Sequence, residues 1–237
     1  MMNNLNILYF VFVTILVLGS SVFSHVRSKN HIVNNLEVIH LGGESRFVSK
    51  EIVNKLLIQS EDSLFHMQKD MVALSKIEQV FLAHPMIKNA DVYVYPSGKL
   101  AVEIEERKPI IRVEGEQAFY VDETGVDMPL SSSYTAKVPL FYGQMNKTNM
   151  RNLVQLVLSI SSDQFLNEQV IDYRLEGNQY VMSLRSYPFE VIWGTNNKFS
   201  DKAQKLKQFC AYYLKHKGET YKRINLTFQN QVIAQYN

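Results

Sequence analysis

The stretch LAVEIEERKPIIRV, Leu100 to Val113, decides how this chain divides. Leu100, Val102 and Ile104 alternate with Ala101, Glu103 and Glu105, the period of a strand with one apolar face. A charged knot follows, Glu105-Glu106-Arg107-Lys108, then Pro109 and a second apolar run from Ile110 to Val113. Proline cannot donate to a sheet ladder, so Pro109 ends the first sheet and a new strand starts at once. Two readings of the knot compete: a cluster of catalytic carboxylates, or a junction between two domains.

Upstream, LEVIHL (Leu36 to Leu41) reads as a strand, closed by Gly42-Gly43. VSKEIVNKLL (Val48 to Leu57) reads as a helix capped by Ser49, with Ile52, Val53, Leu56 and Leu57 on one face. A second helix is expected from Ser75 to Pro85, capped by Ser75, with Ile77, Val80 and Phe81 inward. The alternating runs around Pro96-Ser97-Gly98 then give a hairpin. Strand, helix, helix, strand, strand implies a three-stranded sheet with two helices on one face, within about 70 residues.

Downstream the pattern changes. A hairpin is expected over Ala118 to Leu130, around Glu123-Thr124-Gly125, and a short extended segment over Lys137 to Gly143. Met150, Leu153, Val154 and Val157 recur at helical spacing. Three strands follow, Val170 to Glu176, Tyr180 to Ser186 and Phe189 to Gly194. A helix capped by Ser200 carries Ala203, Leu206, Phe209, Tyr213 and Leu214 as its apolar stripe. Two last strands run over Tyr221 to Phe228 and Val232 to Asn237. The fold class is α+β, with a β-rich second domain that carries its helices on one face.

The N-terminus adds a different signal. Leu5 to Phe23 holds no formal charge and matches the ~20 residues that span a bilayer as a helix. A signal-anchor and a cleaved signal peptide both fit, and Val22 to Ser24 would serve as a cleavage site. The apolar run exceeds a signal peptide's core of ~7–15 residues, which favours the anchor. Arg27 and Lys29 follow the run and no basic residue precedes it; alone, that bias would leave the bulk of the chain in the cytoplasm. The expected organisation is an anchor over 1–27, a first domain with its linker over 28–107, and a β domain over 108–237.

Bulk composition excludes several classes. The 237 residues carry a net charge of +2, too mild for a basic nucleic-acid face. A single cysteine, Cys210, excludes an intramolecular disulfide and a cysteine-rich zinc site. No phosphate loop, zinc-protease motif or nucleophile elbow is present. The six histidines lack ligand spacing, and His84 is expected as a cation at a helix end. Glu103 and Glu105 share a strand's outer face and read as a solvated edge, although paired carboxylates also serve glycoside hydrolysis. Cys210 reads as a buried thiol and Trp193 as packing. Lys202, Lys205, Lys207, Lys215 and Lys217 read as a solvated helix face, with an anionic lipid or acidic partner as the rival. No catalytic residue, metal, cofactor or small-molecule substrate is implied.

The strand-helix-helix-strand-strand unit resembles a POTRA domain. FVSKEIVNKLL, HPMIKNADVYVYPSGKLAVEIEERKPIIRV, YVDETGVDMPL and VPLFYG together resemble the FtsQ/DivIB family of bacterial cell-division proteins. The resemblance implies a non-catalytic, single-pass inner-membrane scaffold with its bulk in the periplasm at the division septum. It implies FtsB- and FtsL-like partners and, through them, the septal peptidoglycan synthesis machinery. It also implies that Glu105, Glu106, Arg107 and Pro109 form the domain junction. A partner segment would add as a strand near Tyr221 to Tyr236, surrounded by Ile224, Leu226, Phe228, Val232, Ile233 and Tyr236. An exposed edge suits this, because its unpaired N–H and C=O groups accept another chain. Two rivals stand beside this reading: a secreted or lipid-surface enzyme, and a POTRA-type module that binds or translocates extended polypeptides.

Overall fold

The computed structural model describes residues 9–10, 12–21, 36–41, 47–59, 71–97, 99–144, 146–216 and 220–236. Residues 9–10 and 12–21 are helical, with Tyr9, Phe10, Phe12 and Ile15 exposed. Among the described residues no helix is long and apolar enough to cross a membrane; residues 5–8, 11, 22 and 23 of the expected span lie outside them. The chain divides into two compact units, Met1–Glu106 and Arg107–Asn237.

The first unit follows the expected order. Its elements are β1 (Leu36–Leu41), α1 (Lys50–Gln59), α2 (Met71–Leu82), β2 (Ile87–Val94) and β3 (Leu100–Glu106). The sheet order is β1-β3-β2, with β1 parallel and β2 antiparallel to β3. Leu100, Val102 and Ile104 of β3 are buried, as are Val53 and Leu56 of α1 and Ile77 and Phe81 of α2; Ala101, on the opposite face of β3, is buried as well. Ser49 caps α1 through the Ile52 N–H. Ser75 caps nothing, because α2 begins at Met71 and places Ser75 inside the helix. His84 is not a helix-end cation: its Nδ1 accepts the Met86 N–H, and burial pushes its pKa down.

The second unit is a mixed sheet with its helices on one face. Its strands are β4 (Pro109–Glu114), β5 (Phe119–Asp122), β6 (Asp127–Met128), β7 (Leu140–Tyr142), β8 (Val170–Glu176), β9 (Gln179–Leu184), β10 (Glu190–Gly194), β11 (Tyr221–Asn225) and β12 (Ile233–Tyr236). Among the described residues they order as β12-β11-β10-β9-β8-β7-β4-β5-β6. Helices α3 (Lys147–Ser161), α4 (Gln164–Gln169) and α5 (Phe199–Lys215) supply Leu153, Leu156, Leu166 and Leu206 to one core. That core also takes Val113, Tyr173, Met182, Trp193 and Ile224 from the sheet. Asn146 caps α3 and Asp163 caps α4 with their side chains.

Local departures from the sequence reading have physical causes. Helix α4 is too short to show a period. Ser200 lies within α5, whose N-cap is Lys198 in a left-handed backbone. Lys202 is not on a solvated face. It is 5% exposed, and its ammonium donates to Thr195 O and Asn197 Oδ1, both at 2.8 Å, above the Trp193 ring. Long aliphatic stems let a lysine bury its carbons where hydrogen-bond acceptors meet the head.

Gly194 closes β10 at φ +78°, and a Cβ there would stand 2.7 Å from Thr227 Cγ2. Gly194→Ala should therefore lower stability by about 1–3 kcal/mol, read as a fall in the urea midpoint. Thr227→Ser in that background removes the collision but not the backbone strain, so recovery should be partial.

Candidate partner-docking edge

The outer end of the large sheet is built by a crossover. Strand β10 leads into α5, which returns the chain to β11 parallel to β10. Strand β12 then folds back antiparallel on β11 and ends the sheet. Aromatic rings hold α5 in place: Phe189 meets Phe209 and Tyr213 edge-on at 5.3 Å, and Tyr221 meets Phe209 at 5.2 Å. Between β11 and β12, Asn225 Oδ1 accepts from the Thr227 N–H and hydroxyl, which forms a turn. Lys205 donates to the carbonyls of Phe228 and Gln229 and ties that turn to α5.

The direction of each backbone group follows from one bond. Leu226 N–H donates to Ile192 O at 3.0 Å. Ile224 and Leu226 therefore bond toward β10, and Arg223 and Asn225 toward β12. Arg223 pairs with Gln235 and Asn225 with Ile233, so those two residues of β12 bond inward. Ala234 lies between them and turns its N–H and C=O to the open edge. An incoming strand meets that pair of groups first.

The side chains around the edge fall into two sets. Ile224 and Leu226 are core residues, 0% and 1% exposed, because alternate residues of a strand face opposite sides. Val232 is half-buried against the core. Phe228, Ile233 and Tyr236 are exposed, at 42%, 43% and 62%. Tyr236 lies over the ring of Tyr221 at 4.9 Å. Ile233 and Tyr236 thus lie on opposite faces of β12, either side of Ala234, whose register partner on β11 is the buried Ile224. Ala234 escaped sequence reading because nothing in composition marks which strand is outermost.

Beside the edge, on the face away from the helices, lies a lattice of four charges. Arg223 donates to Glu190 at 2.7 Å and to both oxygens of Glu176 at 2.9 and 2.8 Å. Arg174 pairs with the same two carboxylates. Burial alone would raise the Glu190 pKa, but the two guanidiniums outweigh it and hold the carboxyl below its usual range. The lattice joins β8, β10 and β11.

The junction residues hold to their own units. Glu105 pairs with Lys88 at 3.1 Å. Glu106 accepts the Phe47 and Val48 N–H groups, both at 3.0 Å, one on each carboxylate oxygen. Arg107 donates to Asp122 at 2.8 Å, and Pro109 opens β4 opposite Asp122. Asp122 is 1% exposed and also accepts the Thr124 N–H and hydroxyl and the Val126 N–H. Burial raises its pKa, yet these donors together outweigh it and hold the carboxyl below the ordinary value.

Little here resembles an active site. Among the described residues no three His, Cys, Asp or Glu side chains could hold a metal. Cys210 is buried and its thiol is pushed up to about 12 by that burial, which leaves no thiolate at neutral pH. A groove of about 580 Å³ beside α3 is lined by Phe119, Met150, Val154 and Leu158 with Glu123, Asp127 and Arg151, without histidine or cysteine.

Comparison with known families agrees with the architecture. The model described as FtsQ/DivIB, C-terminal related, matches residues 108–235. The chain belongs to the FtsQ/DivIB family. A POTRA-like domain model matches residues 38–105, which covers α1, α2 and β2 and most of β1 and β3. No curated protein matches the chain. The family assignment makes this a division-related scaffold, built from domains that are generally non-catalytic.

Asp122 generates a pH prediction. Its folded pKa lies below the unfolded value of about 4, so its contribution is complete above that value and is lost as pH falls through the folded pKa. The urea midpoint of the second unit should therefore fall steeply below about pH 4. Asp122→Asn should be less stable at pH 7 and show a shallower acid slope.

Proposed function

We propose that this chain is a single-pass inner-membrane scaffold of the division complex that receives a partner strand on β12. The bulk lies in the periplasm at the septum, anchored by the uncharged segment Leu5 to Phe23. The partners are FtsB- and FtsL-like proteins, and through them the septal peptidoglycan synthesis machinery. One observation carries the reading: Ala234 turns its N–H and C=O away from β11 at the end of the sheet. A strand there gains main-chain hydrogen bonds, and exposed Ile233 and Tyr236 offer apolar contact on either face.

The same geometry selects the decisive substitution. Leu226→Pro is a poor test, because the Leu226 N–H bonds to Ile192 and its loss damages the sheet itself. Proline is tolerated on an edge where its nitrogen faces outward, which is the situation of Ala234. Ala234→Pro should keep the wild-type urea midpoint and weaken binding to a purified FtsB/FtsL-type complex about tenfold or more. Wild-type affinity in a folded Ala234→Pro chain would overturn the proposal. Retention of residues 1–23 in the intact mass from the native host supports the anchor, and loss after Ser24 refutes it.

A further inference from the structure

The POTRA-like unit's sheet has two edge strands, β1 and β2, and on β2 one outward amide is already taken. Strand β2 ends the three-stranded sheet. Tyr95 N–H donates to Lys99 O at 2.8 Å across the hairpin. Alternation then turns the backbone groups of Tyr93 and Asp91 toward β3, and those of Val92 and Val94 away from it. The outward Val92 N–H does not wait for a strand. Glu78 of α2 reaches over the edge and accepts it through Oε1 at 3.1 Å.

Strand β2 is a liability without that contact. It runs for eight residues, longer than the usual blunted edge, and ends in the β-forming run Val92-Tyr93-Val94. Its outward amide belongs to a residue only 5% exposed, so water serves it poorly. Two copies of β2, antiparallel and centred on Val92, would satisfy each other's outward groups. A carboxylate in that place only accepts, so it takes the donor and repels an approaching carbonyl.

We infer that Glu78 is a built-in plug, which stands in for the carbonyl of an incoming strand and keeps β2 from pairing with a second copy of the chain. This sets two edge strands apart: β12 offers Ala234, and β2 has its Val92 amide occupied from within. The inference concerns the first unit alone and is independent of what binds β12.

The test uses the full chain in detergent, as wild type, Glu78→Ala and Glu78→Gln. Two readouts are needed, deuterium exchange at the Val92 amide and sedimentation over a range of protein concentration. Glu78→Ala should speed Val92 exchange at least tenfold when dilute. On concentration it should self-associate and regain protection at Val92. Glu78→Gln keeps an acceptor oxygen and should hold Val92 exchange near wild type, but its amide N–H groups no longer repel a carbonyl, so its self-association should fall between those of wild type and Glu78→Ala. Unchanged Val92 exchange in Glu78→Ala would overturn the contact. Faster exchange without self-association would overturn the plug and leave Glu78 a tether between helix and sheet. Ala234→Pro should leave all of these results unaltered, so failure here and failure of the β12 reading are separable.

Discussion

A buried carboxylate organises the start of the second unit. Asp122 is held charged out of water, a state that costs several kcal/mol unless the ion is paired and hydrogen-bonded. Arg107, the Thr124 N–H and hydroxyl and the Val126 N–H meet that demand. Each of these bonds also fixes geometry. The turn donors shape the loop between β5 and β6, and Arg107 sets the entry to β4 just before Pro109. Remove the carboxylate, and a hairpin and a strand entry lose their common anchor. The side chain next door, Glu106, does the reverse task with its two backbone donors in the first unit. Three members of the charged knot are thus structural ligands: Glu105 of Lys88, Glu106 of two backbone amides, and Arg107 of Asp122.

Sheet edges are the second constraint. Any edge strand exposes unpaired polar groups, and a scaffold must open the useful edge without opening the rest. Among the described residues there are four edge strands: β6 is only two residues long, β1 pairs with β3 alone, β2 has its Val92 amide taken by Glu78, and β12 presents Ala234. Specificity here is a matter of which donors are left unanswered.

Much of this was legible in the sequence, and the reasons are local. The alternation in LAVEIEE fixed the face of β3, and Pro109 marked where one sheet stops. Leu153, Val154 and Val157 announced α3 by their spacing. What stayed hidden depends on distant pairing. Lys202 looked like one more surface lysine, since the acceptors that bury it lie on a neighbouring loop. Helix caps at Ser75 and Ser200 were misplaced because both helices begin earlier than the nearest hydroxyl. At the edge, residue types separated core from surface poorly: Ile224 and Ile233 are the same amino acid on adjacent strands, one sealed and one exposed. Register alone distinguishes them, and register is set by partners far along the chain.

The crossover that delivers β11 has a thermodynamic consequence. Parallel strands cannot be joined by a tight turn, so the terminal pair exists only while α5 lies packed on the far side of the sheet. Any local opening that frees Phe209 and Leu206 also dissolves the surface on which a ligand strand would sit. Apparent affinity is then the intrinsic value scaled by the fraction of molecules with that helix docked. Temperature, denaturant or a cavity beneath Tyr221 all act on the same fraction, and each would weaken capture without altering one atom of the rim.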